Sequence, residues 1–195
     1  MQIKRLCVFA GSSPGAREEY RHAAVGLGRA MAAKGIALVY GGAKVGLMGA
    51  LADAVLGSGG EVVGVIPQAL VAKDVAHHGL TDLRVVTSMH ERKQLMADLS
   101  DGFVALPGGI GTLEEFAEVL TWAQLGLHQK PCGLMNVASY YTQIIEFLDH
   151  SVDERFLAPV HRAMLLVAGT PDELFSLLAS YQPQLIDKWL DRGIS

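Results

Sequence analysis

Seven short apolar runs punctuate this chain: Ile3–Phe9, Ile36–Tyr40, Val62–Ile66, Leu83–Val86, Phe103–Leu106, Cys132–Met135 and Leu165–Ala168. Runs such as CVFA, VVGVI and GFVAL do not alternate polar with apolar residues, which marks strands covered on both faces. Between them lie amphipathic stretches at helical spacing: Arg17–Lys34, Gly46–Gly57, Met89–Ser100, Leu113–Leu127, Tyr140–His150 and Pro171–Ser180. Strand, crossover helix, strand is the signature of a parallel sheet. The chain is therefore predicted to form an α/β fold, an open parallel sheet with helices on both faces. No linker, repeat or low-complexity segment divides it, so residues 1–195 read as a single domain.

Composition removes several function classes. Half of the residues are hydrophobic and 18% are charged, enough apolar material for a sizeable core and too much for a disordered chain. The formal net charge is -4, from 16 basic and 20 acidic residues with no long basic run, which argues against nucleic acid as a partner. The first apolar run leads straight into a Gly/Ser turn without a cleavage site, and falls far short of the roughly 20 residues that span a bilayer. A cytoplasmic protein with no membrane partner is expected. Cys7 and Cys132, both in strand-like runs, are expected as buried free thiols of a reducing compartment.

The 22 glycines concentrate where ligands bind in such folds, at the carboxyl ends of strands. Three strand ends are glycine-rich: Gly11-Ser12-Ser13-Pro14-Gly15, Gly41-Gly42 through Gly46 to Gly49, and Pro107-Gly108-Gly109-Ile110-Gly111-Thr112. One such loop is as easily a tight connector as a site. Three on one edge, each opening a helix, favour an anion held by backbone N–H groups. Neither a P-loop nor a Gly-x-Gly-x-x-Gly after the first strand is present, so the phosphate belongs to something smaller than a nucleoside triphosphate or a dinucleotide.

Two helix starts carry the candidate chemistry. Thr112-Leu113-Glu114-Glu115 has the spacing of a capping box, with Thr112 at the N-cap and Glu115 at N3, and on spacing alone capping outweighs catalysis. On a helical wheel, however, Glu115 falls with Val119, Trp122 and Gly126, while Leu113, Phe116, Leu120, Ala123 and Leu127 form another apolar stripe. A helix apolar on two sides packs against the sheet on one and a partner on the other, which puts Glu115 at the edge of a cleft or interface. The second helix starts at Ser88-Met89-His90-Glu91-Arg92-Lys93, again with a capping-box spacing from Ser88 to Glu91. Arg92 lies near the middle of the stripe formed by Met89, Leu95, Met96 and Leu99. It either snorkels to solvent or meets an anion or a carboxylate. His77-His78 read as loop residues rather than metal ligands, no Gly-x-Ser-x-Gly elbow exists, and neither cysteine has an activating neighbourhood.

Together these segments resemble the Lonely Guy (LOG) family, the cytokinin riboside 5′-monophosphate phosphoribohydrolases long labelled lysine decarboxylases. Pro107 to Glu115 is similar to that family's Pro-Gly-Gly-x-Gly-Thr-x-x-Glu signature, Met89 to Lys93 to its second signature, and Gly41 to Gly49 to its first glycine loop; the likeness runs from about Cys7 to about His150. The resemblance implies a Rossmann-like fold, a homodimer with sites at or near the interface, and N-glycosidic hydrolysis without cofactor or metal. It matches Arg92 and Glu115 to a catalytic pair, and Lys93, Gly109 to Glu114 and Thr121 to substrate-binding positions. Gly108 joins the same cradle, and Gly11, Ser12, Ser13, Gly42, Gly46 and Met89 join the substrate-binding set. An acidic substrate contact in the segment 68–80 is placed at Asp74, with His77 in a loop over the cleft. Nothing marks a Schiff-base lysine with a pyridoxal-phosphate pocket. The expected reaction is hydrolysis of a purine or cytokinin riboside 5′-monophosphate to free base and ribose 5-phosphate. The rival is a non-catalytic nucleotide carrier or sensor on the same fold.

Overall fold

The computed structural model of the chain describes residues 3–72 and 75–183. Seven strands, β1 (Arg5–Phe9), β2 (Ala37–Tyr40), β3 (Val62–Pro67), β4 (Asp82–Val86), β5 (Gly102–Ala105), β6 (Cys132–Met135) and β7 (Leu165–Ala168), form one sheet in the order β4-β3-β2-β1-β5-β6-β7. Every pairing is parallel. The helices are α1 (Glu18–Ala33), α2 (Gly46–Gly57), α3 (Gln68–Val71), α4 (Met89–Asp98), α5 (Ile110–Gln124), α6 (Thr142–Asp153), α7 (Pro159–Arg162) and α8 (Pro171–Ser180). The short helices α3 and α7 and a 3-10 turn at Val137–Ser139 have no counterpart in the sequence pattern, because one helical turn shows no periodicity.

Side chains alternate across the sheet and so divide the core in two. Leu6, Val8, Leu38 and Val104 face α1, α2 and α8, with Leu27, Leu51 and Leu174 among the fully buried partners. Cys7, Phe9, Val39 and Phe103 face the other way, toward Met96 of α4 and Phe116 and Val119 of α5. Burial on both faces explains the unbroken apolar runs. Cys7 and Cys132 are buried and unbridged, and burial pushes both thiols upward, leaving them inert.

One expected surface is corrected here. Val119 is 3% exposed and belongs to the core, so the sheet-facing stripe of α5 is Thr112, Phe116, Val119 and Ala123. Glu115 lies three residues beyond Thr112 and four before Val119, at the margin of the sheet-facing side rather than on an outward apolar one.

Chain order runs from β1 outward to β4, then returns to β5 on the other side of β1. The connections therefore diverge between β1 and β5, and a crevice opens above their carboxyl ends.

Candidate active site

The glycine loops after β1, β2 and β5 converge on that crevice. Gly11 N donates to the Pro107 carbonyl at 3.0 Å, and Leu47 N and Met48 N donate to the Gly11 carbonyl at 3.0 and 3.3 Å. Gly46 makes this closure feasible: its φ is +60°, and a Cβ there would sit 2.3 Å from the Ser12 carbonyl carbon. Gly11, Ser12, Ser13, Gly109, Tyr20 and Tyr140 line a cavity of about 240 Å³ between the loops.

At the start of α5 the structure departs from the capping-box reading. Gly109, extended at φ -89° and ψ -157°, is the N-cap, and the helix begins at Ile110. Thr112 is an internal, buried residue at N3, and Glu115 is a full turn too deep to cap anything. The first intrahelical bond is Leu113 N to the Gly109 carbonyl, 3.1 Å. The N–H groups of Ile110, Gly111 and Thr112 consequently have no carbonyl one turn back, and with the helix dipole they make a terminus able to hold an anion.

The helix α4 delivers the opposing charges. Ser88 caps it, its hydroxyl accepting from Glu91 N at 3.1 Å. The Glu91 carboxylate reaches back one residue further than a capping box requires, to Thr87 N (2.8 Å) and Thr87 Oγ1 (2.6 Å), and these bonds hold its pKa down. One residue later, Arg92 is 7% exposed. Its Nε donates to the Val65 carbonyl at 3.0 Å, while Nη1 pairs with Glu115 Oε1 and approaches Met89 Sδ at 3.4 Å. Gly41 makes room for it, since a Cβ there would lie 2.1 Å from Nη2. Lys93 is buried beside it, pairing with Glu114 Oε1 and with Glu118 at 3.0–3.1 Å. Burial alone lowers the Lys93 pKa, but the bonds to Glu114 and Glu118 outweigh it and the net shift is upward.

Glu118 had no place in the sequence reading. Its position one turn beyond Glu114 was the available signal, because residues four apart share a helix face. With it, three carboxylates (Glu114, Glu115, Glu118) face two cations (Arg92, Lys93), a half-buried cluster with one negative charge in excess.

Other candidates stand at different distances from this centre. Met89 and Ile110, each the first residue of its helix, are 45% and 85% exposed and offer apolar surface at the mouth. Leu113 is partly buried against the core. Gly42 accepts from His77 N at 2.9 Å, Lys44 N donates to the Val75 carbonyl at 2.8 Å, and His77 Nε2 bonds Asp53 at 2.9 Å, so the His77 segment lies along the second glycine loop. Asp74 lies outside the described residues. Thr121 is exposed, donates to the Ala117 carbonyl at 2.7 Å, and lies one turn beyond Glu118 on α5, where it borders a cavity of about 170 Å³ shared with Leu148 of α6 and His161 of α7. Among the described residues no group of three or more His, Cys, Asp or Glu is placed to hold a metal, and no helix is long and apolar enough to cross a membrane. A cavity of about 810 Å³ opens beside Lys4, Arg5 and Asp101 at the amino ends of the strands, away from this centre.

Comparison with known proteins shows the family. A family model described as "Possible lysine decarboxylase" matches residues 48–179. A cytokinin riboside 5′-monophosphate phosphoribohydrolase of Rhodococcoides fascians is 54% identical over 165 residues, 84% of this chain and 83% of that protein. A relative of the same description from Arabidopsis thaliana is 46% identical over 182 residues, 93% of this chain and 85% of that protein. Among solved structures, a molybdenum cofactor binding protein of Rippkaea orientalis matches with a TM-score of 0.67 at 24% identity, covering 92% of this chain and 98% of that one, a likeness of fold alone. By its motifs, its sheet and these relatives, the chain belongs to the Lonely Guy family, whose members include cytokinin riboside 5′-monophosphate phosphoribohydrolases.

Proposed function

We propose that this chain hydrolyses the N-glycosidic bond of purine or cytokinin riboside 5′-monophosphates, releasing the free base and ribose 5-phosphate. The carrying observation is the buried Arg92–Glu115 pair beside an uncapped helix N-terminus. The 5′-phosphate rests on the N–H groups of Gly109 to Thr112, with the loops of Gly11 to Ser13 and Gly46 closing the cradle. Met89 and Ile110 give the base an apolar surface. As the bond from C1′ to the base nitrogen breaks, its electron pair leaves with the base and positive charge develops on the sugar. Glu115, held by Arg92 through one oxygen, stabilises that charge and takes a proton from the attacking water, whose oxygen bonds C1′. The departing base gains the proton. The one-charge excess of carboxylate in the cluster suits a transition state that becomes cationic, and a preoriented carboxylate acts mainly there. Lys93 keeps Glu114 and Glu118 in place for the ribose.

The chain works as a single nucleotide-binding domain, in a homodimer and in the cytoplasm, where two buried free thiols persist. The proposed chemistry calls on Arg92, Glu115 and water and on no cofactor.

Incubation with AMP and with an N6-prenylated adenosine monophosphate, followed by chromatography, tests the reading. Equimolar free base and ribose 5-phosphate are expected. Tight binding of nucleotide with no base released would overturn it in favour of a carrier or sensor.

A further inference from the structure

The connection between β6 and α6 grips the third glycine loop through two adjacent tyrosines. Tyr140 Oη donates to the Gly108 carbonyl at 2.6 Å, and Tyr141 Oη donates to the Leu106 carbonyl at 2.7 Å, so the carbonyls on both sides of Pro107 are held. Tyr141 is 1% exposed, and burial pushes its phenol up, which keeps it a donor. Tyr140 is 39% exposed instead. Its ring lines the 240 Å³ cavity and meets Tyr20 edge-on, 5.5 Å between centroids. The backbone that presents the pair is strained: Ala138 and Ser139 have φ of 49° and 61°, a region that residues with a Cβ rarely adopt. Such conformations persist where the surroundings impose them, and here Asn136 Oδ1 anchors the far side by accepting from Tyr141 N at 2.8 Å.

We propose that Tyr140 is a positioning residue of the phosphate cradle, fixing the Gly108–Gly109 peptide through its hydroxyl and walling the cavity with its ring. This rests on the phosphoribohydrolase reading above. In a trans peptide the C=O and N–H point in opposite directions, so pinning the Gly108 carbonyl also aims the Gly109 N–H. A Gly-Gly peptide left unpinned samples many orientations. Donors already aimed need not be ordered when the anion arrives. The half-exposed ring and the strained approach are more than packing of α6 requires.

Tyr140→Phe keeps the ring and removes only the hydroxyl. Titration calorimetry with ribose 5-phosphate and with free adenine, alongside kinetics on AMP, reads the effect. The expected result is about a five- to tenfold loss of ribose 5-phosphate affinity and an equal rise in KM, the scale of one hydrogen bond. Adenine affinity, melting temperature and kcat should stay close to wild type. Tyr140→Ala, which also removes the wall, should lose more on the same two quantities. Unchanged phosphate affinity and KM in Tyr140→Phe would overturn the proposal, as would equal losses for both ligands with a lowered melting temperature, which describe a packing role. A wild type that neither binds ribose 5-phosphate nor releases base condemns the functional reading itself; an active wild type indifferent to the substitution condemns only the role of Tyr140.

Discussion

Glu115 and Glu114 are neighbours in sequence with different surroundings. The Glu115 side chain is 14% exposed and paired with buried Arg92, whereas Glu114 is 53% exposed and paired with Lys93. Capping does not explain Glu115, which lies six residues into α5. Glu115→Gln preserves shape and an acceptor oxygen for Arg92 but removes the charge. Turnover on AMP should fall roughly 10²–10⁴-fold, the usual scale for a positioned acid–base or electrostatic group. Glu114→Gln should raise KM more than it lowers kcat. Melting curves belong beside the kinetics, because breaking a buried ion pair outright costs about 3–5 kcal/mol and Gln retains only part of it. Near-normal turnover in a folded Glu115→Gln protein would sink the mechanism.

At the scale of elements, the site depends on α4 being able to slide an arginine under the loop after β2. Gly41 permits that approach, with only 2.1 Å between a would-be Cβ and Arg92 Nη2. Gly41→Ala should therefore displace the guanidinium and loosen its grip on Glu115, lowering kcat by at least about tenfold, since small misplacements of a reacting group are costly. Gly26→Ala in α1, where a Cβ meets nothing within 4 Å, is the matched comparison and should leave activity alone while stabilising the helix by about 0.5–1 kcal/mol. Equal kinetics for the two variants would show that Gly41 serves only as a turn.

At the scale of the whole molecule, several large apolar side chains of the described residues stand exposed on and beside the helices. Ile110 and Met89 at the mouth of the site, Leu127 beyond α5, and Phe147 and Phe156 in and after α6 are 45–88% exposed. With Val119 in the core, these residues carry the case for self-association. Thr121 is exposed one turn beyond Glu118 on α5, where a second copy could cover it. Sedimentation at micromolar concentration should give a dimer, and Thr121→Ala should then raise KM without altering the mass. A monomer with full activity would remove the interface, and unchanged KM in Thr121→Ala would remove any role for Thr121.

Local pattern by itself determined the layered architecture. Unbroken apolar runs suit strands covered on both faces, amphipathic stretches between them suit crossovers, and such connections make the sheet parallel. β6, β7, α2 and α8 accordingly begin and end where the residue pattern places them. The same pattern singled out Arg92, since a cation in the middle of an apolar stripe needs a partner. Tertiary structure alone decided what that partner is, because Glu115 lies on another helix and comes within reach only when α4 and α5 pack on one face of the sheet. It also decided where α5 begins. Thr112 has the chemistry of a cap, but packing of the loop against Gly11 draws the helix back to Ile110 and buries the threonine. Tyr140 escaped the sequence for the same reason, since it acts through a residue 32 positions away. Glu118, one turn beyond Glu114, could be placed on the right face, but its partner Lys93, 25 positions away, could not be read from local spacing.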